Sequence, residues 1–306
     1  MRKQAVIGVF TMAVAIGTVG AVGAGALGGE SAGRGSGVAA KGAAGGLPRA
    51  LAPGGLRALG LTADQRLVTF HVDRPGAVVP LGKVDGLKGD KALVGIDYRV
   101  QDKKLYAVGD QGGIYTIREI GARATKVSQL TVALQGKAFG VDFNPAANRL
   151  RVISDTGQNL RHNIDDPAGA PAPNTTAVDG TLTNPPVPPN PGATASGVTG
   201  AAYTNNDLDA TTATTLFDLD TTLDQVSVQS PANAGNLAPT GKPAVDAPLN
   251  SGFDIYSSAR NGTNSGYAVT GGKAFKVNLL TGKANSTGSF PRGWQVVDLA
   301  LPLNQG

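Results

Sequence analysis

A short phrase recurs along this chain: a small or apolar residue, an apolar residue, Asp, then an aromatic or apolar residue. It reads Gly95-Ile96-Asp97-Tyr98, Gly140-Val141-Asp142-Phe143, Gly252-Phe253-Asp254-Ile255 and Val296-Val297-Asp298-Leu299, and a weaker copy, Gly200-Ala201-Ala202-Tyr203, fills the one wide gap. Recurrence every 45–60 residues or so marks a repeat architecture, in which each unit buries its apolar surface on its neighbours.

The text after each phrase repeats as well. Gly95–Tyr98 is followed by apolar runs at Leu105–Val108 and Ile114–Ile117 and a more polar alternating run at Thr125–Leu130, with Gly109-Asp110-Gln111-Gly112-Gly113 supplying turn chemistry. Four short strands joined by tight turns make an antiparallel meander. The same order is predicted for 139–182, 200–241 and 252–288. The ends complete a fifth unit: Val296–Leu301 is a lone first-type strand, while Leu56–Leu59, Arg66–His71 and Ala77–Leu81 lack one. Joining them closes a ring and removes the open edges. The expected fold is all-β: a five-bladed β-propeller over residues 56–302, with blade one closed by strands from both termini.

Composition agrees with this and narrows function. Gly (44) and Pro (19) are abundant and charged residues make up only 16%. The net charge of +5 is concentrated at the start, where Arg2, Lys3, Arg34, Lys41 and Arg49 face Glu30 alone; the remainder carries 22 basic and 21 acidic residues. A nearly neutral body gives no basis for nucleic-acid binding. From 162 to 241 there is no Lys or Arg, yet Asp165, Asp166, Asp179, Asp207, Asp209, Asp218, Asp220 and Asp224 lie there. Cys is absent and only His71 and His162 are present, which excludes a disulfide, a thiol nucleophile, a lipidated Cys anchor and a His/Cys zinc site.

Arg2 and Lys3 precede 23 uncharged residues, Ala5–Leu27, ending in Ala24-Gly25-Ala26. That pattern reads as a signal peptide over 1–27, with an uncleaved anchor as the alternative and the only expected membrane contact. Both place the body outside the cytoplasmic membrane, secreted or anchored to its outer face. Residues 28–55 are Gly- and Ala-rich and read as a flexible linker. Residues 166–198 hold eight prolines and read as a loop insertion around one short strand. A monomer is expected.

The most distinctive text is FGVDFNPAANRLRVISDTGQNLRHN, Phe139–Asn163. With Gly200-Ala201-Ala202-Tyr203-Thr204-Asn205 it resembles a bacterial secreted family known as domain of unknown function 4394, over about residues 56–302. The resemblance implies a propeller-like repeat fold and export, and no activity.

Candidate sites follow from the repeat. Asp97, Asp142, Asp254 and Asp298 fall on equivalent strands and are expected at one level of the central channel. They serve either as latches accepting backbone N–H groups from the next blade or as a ring binding a hard cation such as Ca²⁺; no other cofactor is expected. Arg151, Asp155, Asn159 and Arg161 form a second set, suited to an acidic ligand or to ion pairs within the chain. Asp155-Thr156-Gly157 occurs once and reads as a turn, not half of an aspartic-protease pair. Asp218, Asp220 and Asp224 lack EF-hand spacing and read as strand-end and turn residues. The histidines read as lone residues at strand ends. Fourfold repetition argues against a unique catalytic pair. The leading expectation is therefore an extracellular module that binds an unidentified ligand or protein. The alternatives are a hydrolase or lyase acting on polysaccharide and a structural envelope protein.

Overall fold

Twenty strands build five four-stranded antiparallel sheets in the computed structural model, which describes residues 55–209 and 211–305. The segment read as export signal and linker lies outside the described residues, apart from Gly55. Blade one contains β1 (Arg57–Thr62), β2 (Arg66–His71) and β3 (Arg74–Lys83). Blade two contains β4 (Leu93–Arg99), β5 (Lys104–Gly109), β6 (Gly113–Arg118) and β7 (Arg123–Gln129). Blade three contains β8 (Phe139–Asn144), β9 (Arg149–Ser154), β10 (Asn159–Asn163) and β11 (Thr175–Val178). Blade four contains β12 (Val198–Tyr203), β13 (Leu216–Asp220), β14 (Gln225–Gln229) and β15 (Leu237–Gly241). Blade five contains β16 (Gly252–Ser257), β17 (Asn264–Thr270), β18 (Lys273–Val277) and β19 (Ala284–Ser289). The last strand, β20 (Val296–Ala300), pairs antiparallel with β1 and completes blade one. The five-bladed propeller closed by both termini, expected from the repeat, is the fold. Among the described residues the one helical turn is Ala232–Ala234, and no helix is long and apolar enough to cross a membrane.

The recurring phrase occupies the inner strands β4, β8, β12, β16 and β20. Side chains two apart share a face of a strand, so the Gly and the Asp of β4, β8 and β16 point the same way, toward the next inner strand around the ring. The Gly is required by that approach. A Cβ on Gly140 would lie 2.7 Å from Ala201 N and 2.9 Å from Gly200 C. Both are backbone atoms that have no room to move aside, so the narrow centre of the ring excludes any side chain here.

Further out the blades diverge and the wedges between them fill with apolar side chains. Five separate clusters result, one in each wedge. Tyr106, Val108 and Ile114 of blade two pack on Phe143, Leu150 and Val152 of blade three. The wedge between blades three and four is built differently. Part of its filling comes from the Pro-rich insertion, whose Leu182 and Ala195 are buried with Ile153, Val198, Ala201 and Tyr203. Gly180 N donates to Asn233 O, Thr183 N to Gly235 O and Leu237 N to Thr183 O. The insertion, expected as mostly surface loop, thus packs in part between two blades. Blade three takes its outer strand from 175–178, a few residues before the stretch at 177–182 that sequence pattern favours.

Candidate functional site

Each Asp of the repeat reaches across to the neighbouring blade. Asp97 Oδ2 accepts from Phe143 N at 2.8 Å, and Asp142 Oδ1 accepts from Tyr203 N at 3.3 Å. Asp254 Oδ2 accepts from Leu301 N at 2.6 Å while its Oδ1 accepts from its own neighbour, Ile255 N, at 2.5 Å. Asp298 Oδ2 accepts from Ile96 N at 2.8 Å. Asp97, Asp142 and Asp254 are buried, and Asp298 is half-buried. The bonds tie blade two to three, three to four, five to one and one to two; the missing link, from four to five, falls at Ala202.

The four do not share one level. Asp97, Asp142 and Asp254 each bring a carboxylate oxygen within 4.8 Å of the others. Asp298 pairs with Leu61, and it is Ala300 that pairs with Leu59, the position in β1 that matches Tyr106 and Arg151 opposite Asp97 and Asp142. Asp298 is therefore one pleat lower, level with Gly95 and Gly252. Its carboxylate still finds an N–H, but that of Ile96, two residues earlier in the pattern than Phe143, Tyr203 and Leu301. The similar lettering of Val296–Leu299 conceals a two-residue offset in β20.

Three carboxyls this close, removed from water, cannot all ionise unaided. Burial, then the charge of Asp254, holds Asp97 well above the usual carboxylate range. Burial, then the charges of Asp97 and Asp254, does the same for Asp142. Asp254 is pushed up to about 7 by burial, offset by the N–H groups of Leu301 and Ile255. Asp298 is raised chiefly by burial. With both oxygens already accepting N–H bonds, Asp254 is the member best suited to carry the negative charge. Burial and the neighbouring charge favour the neutral form at Asp97 and Asp142. A hard cation is the other means of offsetting that charge, and the three oxygens are of the kind such an ion takes.

The second expected set separates. Arg151, 2% exposed, donates to Asn159 Oδ1 (2.6 Å), Asp179 Oδ2 (2.7 Å), Asn233 Oδ1 (2.7 Å) and Tyr203 OH (3.2 Å). Arg161 donates to both oxygens of the same Asp179 and to Ala170 O. Asp155 points elsewhere: its Oδ1 accepts from Lys137 N and Ala138 N on the connector into β8, and Gly157 N closes the turn on Ser154 O. Arg151, Asn159 and Arg161 thus converge on Asp179, a partner within the chain. Arg99 binds Asp165, and Arg149 binds Asp166 and Ala170 O, so four arginines clasp the start of the insertion. The run of Asp without Lys or Arg beyond Arg161 was the sequence sign of this pairing.

His162 is not a lone strand-end residue. It is buried in β10, its Nε2 is 2.9 Å from Ser128 Oγ in β7, and its Nδ1 is 2.9 Å from Thr176 Oγ1. Ser128 Oγ donates to Asn174 Oδ1 at 3.0 Å. That direction leaves His162 Nε2 as the donor to the hydroxyl and Nδ1 as acceptor from Thr176. The imidazole therefore cannot withdraw the serine proton as a general base must. Burial lowers the His162 pKa to about 4, keeping it neutral. The pair joins blade two to blade three, and only the folded chain brings residues 34 apart into contact.

The exposed clefts carry a different chemistry. One, about 400 Å³, is lined by Lys103, Lys104, Arg118 and Arg123 with Thr116 and Thr125. Arg118 faces Arg123 across the β6–β7 ladder, and Thr116 faces Thr125. Lys104, two residues before Tyr106, which pairs with Thr116, belongs to the same face. A second cleft, about 260 Å³, lies among Gln101, Pro145, Asn205, Asp207 and Asp209.

A closed ring of five blades, latched by buried carboxyls and presenting its clefts between strand ends, defines the protein as a five-bladed β-propeller. The chain belongs to the family described as "Domain of unknown function (DUF4394)", whose model matches residues 66–300. No curated protein matches it. Among solved structures it is similar to a structural genomics protein of unknown function from Bacteroides thetaiotaomicron VPI-5482 (TM-score 0.42, 14% identity), covering 83% of this chain and 66% of that one. It is also similar to Kuenenia stuttgartiensis hydrazine synthase (TM-score 0.36, 11% identity), covering 66% of this chain and 51% of that one. The chain therefore spans less than two thirds of either, and neither likeness is close enough to transfer a property.

Proposed function

We propose that this propeller is a binding module working outside the cytoplasmic membrane, with an anionic ligand held at the basic end of blade two. The basic cleft carries the reading. Lys104, Arg118 and Arg123 share one face of β5–β6–β7, and Lys103 adjoins them. Their carboxylate neighbours are weakly engaged: Asp102 lies 3.5 Å from Lys104 and Asp85 3.9 Å from Arg123, all on exposed or half-exposed side chains. Glu119, which also lines the cleft, is turned to Arg57 and Tyr98. Like charges gathered on an exposed sheet face cost stability and favour an acidic group lying across them. Carboxylated or phosphorylated chains of envelope or wall type fit such a surface. The basic segment and apolar stretch at the N-terminus support export, and the near-neutral remainder disfavours nucleic acid.

The hydrolase or lyase alternative has less behind it. The clustered carboxyls are buried between inner strands and bonded to backbone N–H groups, and the Ser128–His162 pair runs in the wrong direction for nucleophile activation. The test is adsorption of the full chain to acidic polysaccharides, a phosphate-bearing wall polymer and neutral polysaccharides. Binding should favour the acidic polymers, weaken with salt, and fall about tenfold or more in the Lys104→Ala/Arg118→Ala/Arg123→Ala variant. Equal binding to neutral polymers, full binding by that variant, or polymer turnover abolished by Asp142→Asn would overturn the reading.

A further inference from the structure

Asp218 departs from the turn role that its sequence context favours. It is 0% exposed, in mid-strand β13, and neither carboxylate oxygen has a hydrogen-bond partner among the described residues. Its cross-strand neighbour is Ser227, also 0% exposed and with Oγ unpartnered. Gln229, two residues along β14 and so on the same face, is 2% exposed; its Nε2 donates to Ala232 O while its Oε1 is unpartnered. Asp220, two residues along β13, uses Oδ1 to accept from Thr222 N and Leu223 N and leaves Oδ2 unpartnered.

These side chains look into the wedge toward blade three. Leu216, on the same face, belongs to the cluster shared with Ile153 and Tyr203, and Gln225 contacts Asn184 of the insertion. Across the wedge stands Arg151, its donors directed to Asp179, Asn159, Asn233 and Tyr203. Three carboxylates, Asp179, Asp218 and Asp220, meet two guanidiniums, Arg151 and Arg161, and both guanidiniums are bonded to Asp179. When ionised, the three carboxylates outnumber the two guanidiniums, and every unpartnered atom except the Ser227 hydroxyl is then an acceptor only.

We propose that this chamber is a structural cation site: a hard divalent ion, with Ca²⁺ as the best fit, bound by the Asp218 carboxylate, Ser227 Oγ and Gln229 Oε1, with Asp220 Oδ2 on its flank. Carboxylate, hydroxyl and amide oxygens are the donors such an ion takes, and irregular geometry suits Ca²⁺ better than Mg²⁺. The ion would fasten blade four, and through Arg151 and Asp179 the insertion, at the wedge between blades three and four. The site is separate from the axial carboxyls, which lie on the inner strands of other blades.

The test is metal analysis of the full chain purified without chelator, with thermal unfolding in EDTA, Ca²⁺ or Mg²⁺. One ion per chain is expected, with Ca²⁺ raising the midpoint by about 3 °C or more over EDTA. Asp218→Asn should abolish that rise and Asp142→Asn should retain it. Ser227→Ala, a change too small to prevent folding, should weaken Ca²⁺ binding about tenfold. Absence of bound metal together with no response to either ion overturns the proposal, as does a Ca²⁺ response lost in Asp142→Asn but kept in Asp218→Asn and Ser227→Ala.

Discussion

Stability should fall as pH rises from 6.5 to 8, and Asp142→Asn should remove a defined part of that fall. A carboxyl whose folded pKa is raised contributes stability that is complete below its ordinary value of 3.8 and is lost as pH rises toward the folded pKa. Two opposing sets act at lower pH. His162, lowered to about 4 from 6.5, contributes stability that is complete above pH 6.5 and is lost on acidification toward 4. Asp64, Asp110, Asp165, Asp166 and Asp209 are lowered, and their contribution disappears only below their ordinary range. The interval from 6.5 to 8 therefore isolates the buried carboxyls. A group still protonated in the fold and ionised when unfolded costs about 2 kcal/mol across it, at about 1.4 kcal/mol per pH unit. Asparagine keeps an acceptor for Tyr203 N–H and matches the neutral acid in shape, so Asp142→Asn should lose less than the wild type over the interval, by an amount that the linkage slope caps at about 2 kcal/mol. The assay is urea unfolding in EDTA at several pH values, extrapolated to water. Stability that is flat or rising with pH, or an unchanged slope in Asp142→Asn, would refute the protonated cluster. Repeating the series in Ca²⁺ on the Asp218→Asn chain separates the alternative, since a cation held by the axial carboxylates would still make stability rise with pH there.

Three further outcomes are expected. Gly140→Ala places a methyl against the backbone of β12 and should cost about 3 kcal/mol or more in chemical unfolding, whereas Gly271→Ala, at φ +54 in open space, should cost only about 1 kcal/mol of backbone strain. Removing residues 296–306 deletes β20 together with Asp298 and Leu301, which latch to blades two and five; cooperative thermal unfolding by circular dichroism should disappear. Arg99→Ala frees Asp165 at the start of the insertion, and limited proteolysis between 164 and 174 should accelerate about tenfold or more, as expected for loss of a charged hydrogen-bond pair.

The ring was legible because it rests on local chemistry that repeats. Alternating apolar runs, glycine turns and a recurring Gly-x-Asp specify strands and their order, and the lone last strand together with the incomplete first unit specifies the closure. Burial of the Asp side chains and their latch role follow from that same position on the innermost strands. The offset of Asp298 was not legible, since strand register depends on how β20 meets β1 and β4 in space, and a two-residue slip leaves the same face pointing the same way. Nor were the particular partners of Arg151, because Asp179 reaches it only when the insertion folds back into the wedge and Asn233 only when blade four packs there. The Ser128–His162 contact and the unpartnered oxygens around Asp218 likewise exist only between strands brought together by folding. Short-range patterning determines which residues alternate inward and where the chain turns. What a buried charge can do depends on which donors and acceptors meet it across a wedge, and that is decided by tertiary packing alone.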